Sequence, residues 1–233
     1  MRVAIMQPTY LPWSGYFGLM QSVDLFIFLD SVQFAKRSWQ QRNQIKTPQG
    51  SLWLTIPVLS KGKQEQTIRE VIINQDADFS SQHKKAIEMN YKKARFFDAY
   101  GKTLLDKLQE PTKYMAEVTL GQIHEMKNAL GIQTKTALSS KLNAQGAKAD
   151  LLAALCQEVG ATEYISPPGS REYLEESNAF KEIGIHVSYF DFHHPEYSQL
   201  FGSFLPFMSC IDLLFNCGSK SLEMIKKSSS IIK

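Results

Sequence analysis

The opening thirty or so residues set the tightest limit on the fold. Arg2 to Gln7 reads as a buried strand that Pro8 stops. A loop punctuated by Pro8, Pro12 and Gly15 follows, and Tyr16 to Gln21 fits a short helix. Val23 to Asp30 is a second strand whose continuous apolar run suits a position covered on both faces, as in a parallel sheet. Strand, helix and strand within about thirty residues is the size of a βαβ unit.

The rest of the chain extends that pattern. Thr47-Pro-Gln-Gly50 separates two β-leaning segments and predicts a hairpin. Thr67 to Ile73 alternates and predicts another strand. From Asp78, a capping residue, to Leu130 the pattern is helical, broken near Pro111 and closed by Gly131. Gln133–Leu138, Thr162–Ser166 and Ile185–Phe190 read as strands. Ala147–Gly160 and Arg171–Phe180 read as helices, the first with a glycine cap. Phe207–Lys227 is helical with a break at Gly218, and the tail from Lys226 to Lys233 is expected to fray. Alternation at both ends favours an α/β fold, a Rossmann-like parallel or mixed sheet flanked by helices. The expectation is one domain over residues 1–233 with a mostly helical insert at about 78–130.

Composition narrows the function classes. Of 233 residues, 43% are hydrophobic and 21% charged, ordinary for a globular chain and wrong for a disordered one. A net charge of +3 is too mild to argue for nucleic acid. Three cysteines form no disulfide framework, and Cys156 lies in an apolar helical run that predicts an inert, buried thiol. The N-terminal apolar run is too short for a signal peptide, and no stretch reaches the roughly 18–20 apolar residues of a bilayer span. A cytoplasmic protein without a membrane span is therefore expected. No P-loop, G-x-G-x-x-G, G-x-S-x-G, H-E-x-x-H or C-x-x-C pattern occurs, which counts against P-loop kinases, dinucleotide oxidoreductases, ordinary esterases and zincins.

Five segments carry residues suited to chemistry. The loop from Gln7 to Tyr16 follows the first strand, where open α/β sheets bind ligands. Gln7, Tyr10 and Trp13 are pocket candidates there, and Gly15 either lets backbone approach a phosphate or merely shapes a tight connection. In Arg37-Ser-Trp-Gln-Gln-Arg-Asn43, Arg37 and Arg42 suit a bidentate clamp on phosphate or carboxylate, Trp39 suits stacking, and Asn43 adds an amide. A polar edge strand with a packed tryptophan is the plainer alternative. His83, Asn90 and Tyr91 share a helix face that either points into a cleft or lies on the surface. His193 and His194 follow a strand; adjacent residues on extended chain diverge, so a metal site is not expected, and His194 reads as a base or a loop residue. Arg171, after Ser166-Pro-Pro-Gly-Ser170, either receives an anion or sits behind a serine cap.

These segments together resemble the WbqC-like protein family. The similar pieces are Gln7-Pro-Thr-Tyr-Leu-Pro-Trp-Ser-Gly-Tyr-Phe17, Arg37 to Asn43, Tyr164-Ile-Ser-Pro-Pro-Gly169 and His194-Pro-Glu-Tyr-Ser-Gln199. The last is Phe204-Leu-Pro-Phe-Met-Ser-Cys-Ile-Asp-Leu-Leu-Phe-Asn-Cys-Gly218. The family is named from bacterial O-antigen and surface-polysaccharide gene clusters. The resemblance implies a transferase acting on a nucleotide-linked or phosphorylated amino-sugar, including transfer of glycine to a sugar amine. His194 or His83 would then be the base; Arg37, Arg42 and Arg171 would hold phosphates; Gln7, Tyr10, Tyr197 and Gln199 would contribute to binding. A weaker resemblance in the strand–loop–helix frame is to nucleotidylyltransferase-like proteins, with Trp13-Ser-Gly-Tyr16 where those carry His-x-Gly-His. Both histidines are missing, which counts against ATP-driven nucleotidyl transfer. The alternatives are an ATP-dependent adenylating amide ligase and a non-catalytic scaffold of a glycan-assembly complex. The expected partner is a small phosphorylated or nucleotide-linked molecule, with no nucleic acid. The sequence names no cofactor and leaves the oligomeric state open.

Overall fold

The computed structural model describes residues 1–232, apart from the Pro168 side chain. Its sheet strands are β1 (Arg2–Met6), β2 (Leu25–Phe28), β5 (Lys135–Leu138), β6 (Glu163–Ser166), β7 (His186–Phe192) and β8 (Ser229–Ile232). A separate hairpin pairs β3 (Arg42–Thr47) with β4 (Gly50–Thr55) around the Pro-Gln turn. The helices are α1 (Ser14–Gln21), α2 (Phe79–Tyr91), α3 (Phe97–Leu108), α4 (Met115–Leu130) and α5 (Lys148–Glu158), followed by α6 (Arg171–Glu175), α7 (Ala179–Glu182), α8 (Cys210–Cys217) and α9 (Ser221–Lys227).

The six-stranded sheet has the order β5-β2-β1-β6-β7-β8, all parallel except β8. The chain winds outward from β1 through β2 to β5. It then crosses back to lay β6 on the other side of β1. This is the doubly wound arrangement, with its reversal between β1 and β6.

The continuous apolar runs divide by the two-residue period of a strand. Ala4, Phe26, Phe28 and Ile165 face one side, where they share a core with α1, α8, α9 and the helices α2–α4. Val3, Ile5, Ile27 and Tyr164 face the other, against Leu152, Ala153 and Cys156 of α5 and Phe180 of α7. Burial pushes the Cys156 thiol up to about 12. Tyr164 and Phe180 stack with ring centroids 5.0 Å apart. The helices spanning 78–130 are inserted between β2 and β5 in the chain, yet Leu104, Leu105, Met115 and Ile123 belong to the same continuous core as the sheet.

Three local expectations are corrected. Thr67–Ile73 is not a strand. Glu70 turns back to accept from the Thr67 amide and hydroxyl at 2.8 and 2.7 Å, closing a 3-10 turn with only isolated bridges beside it. The helix expected over Arg171–Phe180 breaks into α6 and α7, because the Ser177 hydroxyl accepts from the Ala179 amide and starts a new turn that buries Phe180. The tail expected to fray supplies β8, antiparallel to β7 with Phe190 opposite Ile231; Lys233 lies outside the described residues.

Candidate functional site at the strand switch point

The reversal of strand order leaves a crevice beyond the carboxyl ends of β1 and β6, the place where open α/β sheets bind ligands. A cleft of about 310 Å³ sits there. Met6, Gln7 and Thr9 form its floor, Trp39 and Gln40 one wall, and Pro167, Ser170 and Tyr173 the other. It shares Gln7, Leu29, Leu152 and Tyr173 with a wider cavity of about 710 Å³ that reaches Gly146 and Lys148 at the start of α5. On the other side it meets a smaller cavity bounded by Trp13, Asn43 and Phe207.

Local chemistry explains why Trp39 arrives at this wall. The segment expected to be extended is a tight turn ahead of β3, with Arg37 at φ +61°. Its glutamines knit it shut. The Gln41 Oε1 accepts from the Arg37 amide at 2.8 Å, and the Gln40 Oε1 accepts from the Ala35 amide at 2.9 Å. The Gln40 Nε2 then donates to the Gln7 Oε1 at 2.8 Å, tying the turn to the end of β1. The buried Asn43 donates to the Tyr10 and Leu11 carbonyls at 3.2 and 2.7 Å, and the Tyr10 amide donates to the Trp39 carbonyl. Two sequence pieces far apart in the chain thus brace each other over the crevice. The Thr9 hydroxyl, in the cleft floor, is buried without a partner among the described residues.

Of the residues singled out in the sequence, Gln7 and Trp39 line the main cleft, and Trp13 and Asn43 line the neighbouring one. Gly15, read in the sequence either as a phosphate approach or as the shaper of a tight connection, lies beneath a side chain. The indole of Trp13 lies on it so closely that a Cβ would meet ring atoms at 2.2–2.6 Å. The three arginines do not converge. Arg37 is exposed, Arg42 lies 4.4 Å over the Trp53 ring, and Arg171 lies 4.2 Å over Tyr189 while reaching Glu175. Ser170 makes no side-chain cap and instead lines the cleft. Asn90 is half-buried and its amide turns back onto the Ala86 carbonyl.

The histidines separate clearly. His83 is buried, with its Nδ1 hydrogen-bonded to the Tyr10 hydroxyl at 2.9 Å. That contact engages Nδ1 within the protein, and His83 lines neither the switch-point cleft nor the cavities that adjoin it. Burial lowers its pKa to about 4. His193 is exposed beside Asp191 at 3.3 Å, whereas His194 turns inward, as expected of neighbours on extended chain. The His194 ring stacks on Trp13 and meets Phe192, Phe204 and Phe207. Its Nδ1 faces the Pro195 carbonyl at 3.1 Å and must carry the proton there; its Nε2 is buried without a partner among the described residues. Burial also lowers this pKa, so the ring is neutral with a free lone pair on Nε2.

A second polar assembly was not found as a unit in the sequence. Asp212, fully buried, accepts from Tyr91 at 2.7 Å and Tyr197 at 2.9 Å. Burial raises its pKa, opposed by those two hydrogen bonds. Gln199 connects the group to Lys46, whose ammonium donates to the Gln199 Oε1 at 3.0 Å. Tyr197 and Gln199 were expected at a binding site; the fold places them here, away from the switch-point crevice. The only sequence signal was Asp212, which interrupts the apolar run from Cys210 to Phe215.

No helix among the described residues is long and apolar enough to cross a membrane. A family model described as the WbqC-like protein family matches residues 7–224. The chain is 39% identical over 227 residues to "Uncharacterized protein Rv1507c" of Mycobacterium tuberculosis, covering 97% of each chain. No solved structure matches.

Proposed function

The chain belongs to the WbqC-like protein family, and from that premise and the switch-point crevice we propose that it is a cytoplasmic transferase modifying a nucleotide-linked or phosphorylated amino-sugar in bacterial surface-glycan assembly. The observation that carries the reading is the cleft at the β1/β6 reversal, walled by Trp39 and Tyr173 and floored by the Gln7 amide and the unpartnered Thr9 hydroxyl. Aromatic walls with a few placed polar groups suit a ligand that has both a flat base or sugar face and hydrogen-bonding edges. Trp39 stacks on that face, and Gln7 and Thr9 read the polar edge.

Transfer to a sugar amine needs a group that takes up a proton. His194 is the better fit of the two histidines, since its Nε2 has no partner among the described residues while the His83 Nδ1 is engaged by Tyr10. His194 adjoins the crevice through Trp13, which lines the neighbouring cavity. The group transferred in this reading is glycyl, carried on an activated ester or acyl phosphate: the sugar amine forms the C–N bond, the donor's C–O bond breaks and its leaving group departs with that electron pair, and His194 takes the amine proton.

The test is a thermal-shift panel of UDP- and dTDP-sugars, ATP and glycine. A ligand at about 100 times its Kd stabilises the fold by roughly 2.7 kcal/mol. A sugar nucleotide is expected to raise Tm, and Trp39→Ala is expected to abolish the rise without lowering the unliganded Tm, because Trp39 is half exposed. An ATP response with none to sugar nucleotides would replace this reading with the adenylating ligase, and silence across the panel would favour the scaffold.

A further inference from the structure

The hairpin carries a buried cation that the switch-point crevice does not use. Lys46, in β3, is 2% exposed. Its ammonium donates to two neutral acceptors, the Gln199 Oε1 at 3.0 Å and the Ser203 carbonyl at 2.5 Å. An ammonium has three N–H groups, so one has no partner among the described residues. No carboxylate among the described residues pairs with it. The buried Asp212 feels its charge from beyond Gln199 and Tyr197, but an ammonium N–H left unpaired in the interior is still costly.

The surroundings are built to hold it in place. Gln199 clamps the following loop by donating to the Leu205 carbonyl at 3.0 Å and accepting from the Leu205 amide at 2.8 Å. Within that loop Phe201 holds φ +64° beside Gly202 at +67°. A phenylalanine keeps such a backbone only where the surroundings enforce it. Between the loop and the hairpin lies a cavity of about 410 Å³, lined by Lys46, Thr47, Gly50, Phe201, Gly202 and Ser203. It shares no lining residue with the switch-point cleft or its neighbours.

We propose that Lys46, set in this cavity beneath the 199–205 loop, is a binding site for a small oxyanion, a carboxylate or a phosphate group. The oxyanion takes the free ammonium N–H. The Gln199 and Ser203 acceptors fix the direction in which that N–H points. This site is independent of the reading of the crevice.

The test is a titration of the isotope-labelled full chain with acetate, inorganic phosphate and chloride at matched ionic strength, followed by amide NMR. Acetate, phosphate or both are expected to give saturable shifts centred on Thr47, Gly50, Gly202 and Ser203; whichever does so identifies the preferred group. Lys46→Met should weaken that apparent affinity by about tenfold to a hundredfold, the worth of one charged hydrogen bond, whereas Lys46→Arg and Trp39→Ala should retain it. Equal shifts with chloride, shifts elsewhere only, or shifts undiminished in Lys46→Met would overturn the site. Should Lys46→Met fail to fold, the position of the shifts in the unmodified chain still decides. Sugar-nucleotide shifts at residues 7–13 and 167–173 report on the crevice separately.

Discussion

Tyr10 and His83 show how much of a buried polar pair is structural. The Tyr10 hydroxyl and the His83 Nδ1 hydrogen-bond at 2.9 Å, and the loop after β1 is thereby pinned to α2. The pair also fixes a pH dependence. An unfolded histidine titrates near 6.5 and the folded His83 near 4, so between those values the unfolded chain binds more protons. Its contribution is complete above pH 6.5 and is lost as pH falls to about 4, amounting to about 3 kcal/mol. His124 and His194 are lowered by burial and act in the same direction; Asp212, raised by burial, acts in the opposite one. Urea denaturation of His83→Gln against the unmodified protein cancels those shared contributions. The variant should lose about 3 kcal/mol less than the parent between neutral pH and pH 4; equal losses would mean that His83 titrates normally.

At the level of elements, α1 is held by a ring rather than by a cap. Trp13 makes no side-chain cap, but its indole lies across Gly15 and is wedged by Phe192 and Phe207. Gly→Ala in a helix normally gains about 1 kcal/mol. Here a Cβ would strike three ring atoms, so Gly15→Ala should instead cost about 1–3 kcal/mol by overpacking. A lowered urea midpoint at unchanged slope is the expected result, and a raised midpoint would show that the indole moves freely. The strands of the sheet were legible in sequence because each apolar run alternates between two buried faces, as Ala4 and Ile5 do. The 3-10 turn at Ile68–Glu70 was not, since its Ile68, Val71 and Ile73 mimic a strand while Glu70 and Thr67 close a turn. Nor was β8 legible, because Ser229–Ile232 is too short to show a period and is recruited by the open edge of β7.

On the scale of the whole molecule, the doubly wound order decides where chemistry can gather. The loop after β1 was singled out in the sequence because it lies at the carboxyl end of the first strand, where open α/β sheets bind ligands. The convergence of Gln7 with Trp39 was not, because it depends on the Gln40 and Gln41 amides folding an apparently extended segment into a turn. The Lys46–Gln199–Tyr197–Asp212 assembly was equally hidden, since its members are scattered from β3 to α8 and meet only through packing. Two separated polar sites follow, one at the strand reversal and one beneath the 199–205 loop.

The central assignment is the crevice, and amide hydrogen exchange in the presence of the stabilising sugar nucleotide tests it most directly. Slowed exchange confined to residues 7–13, 38–41 and 167–173, and absent in Trp39→Ala, is the expected result. Protection elsewhere, or none in any of the three segments, would contradict binding at the switch point.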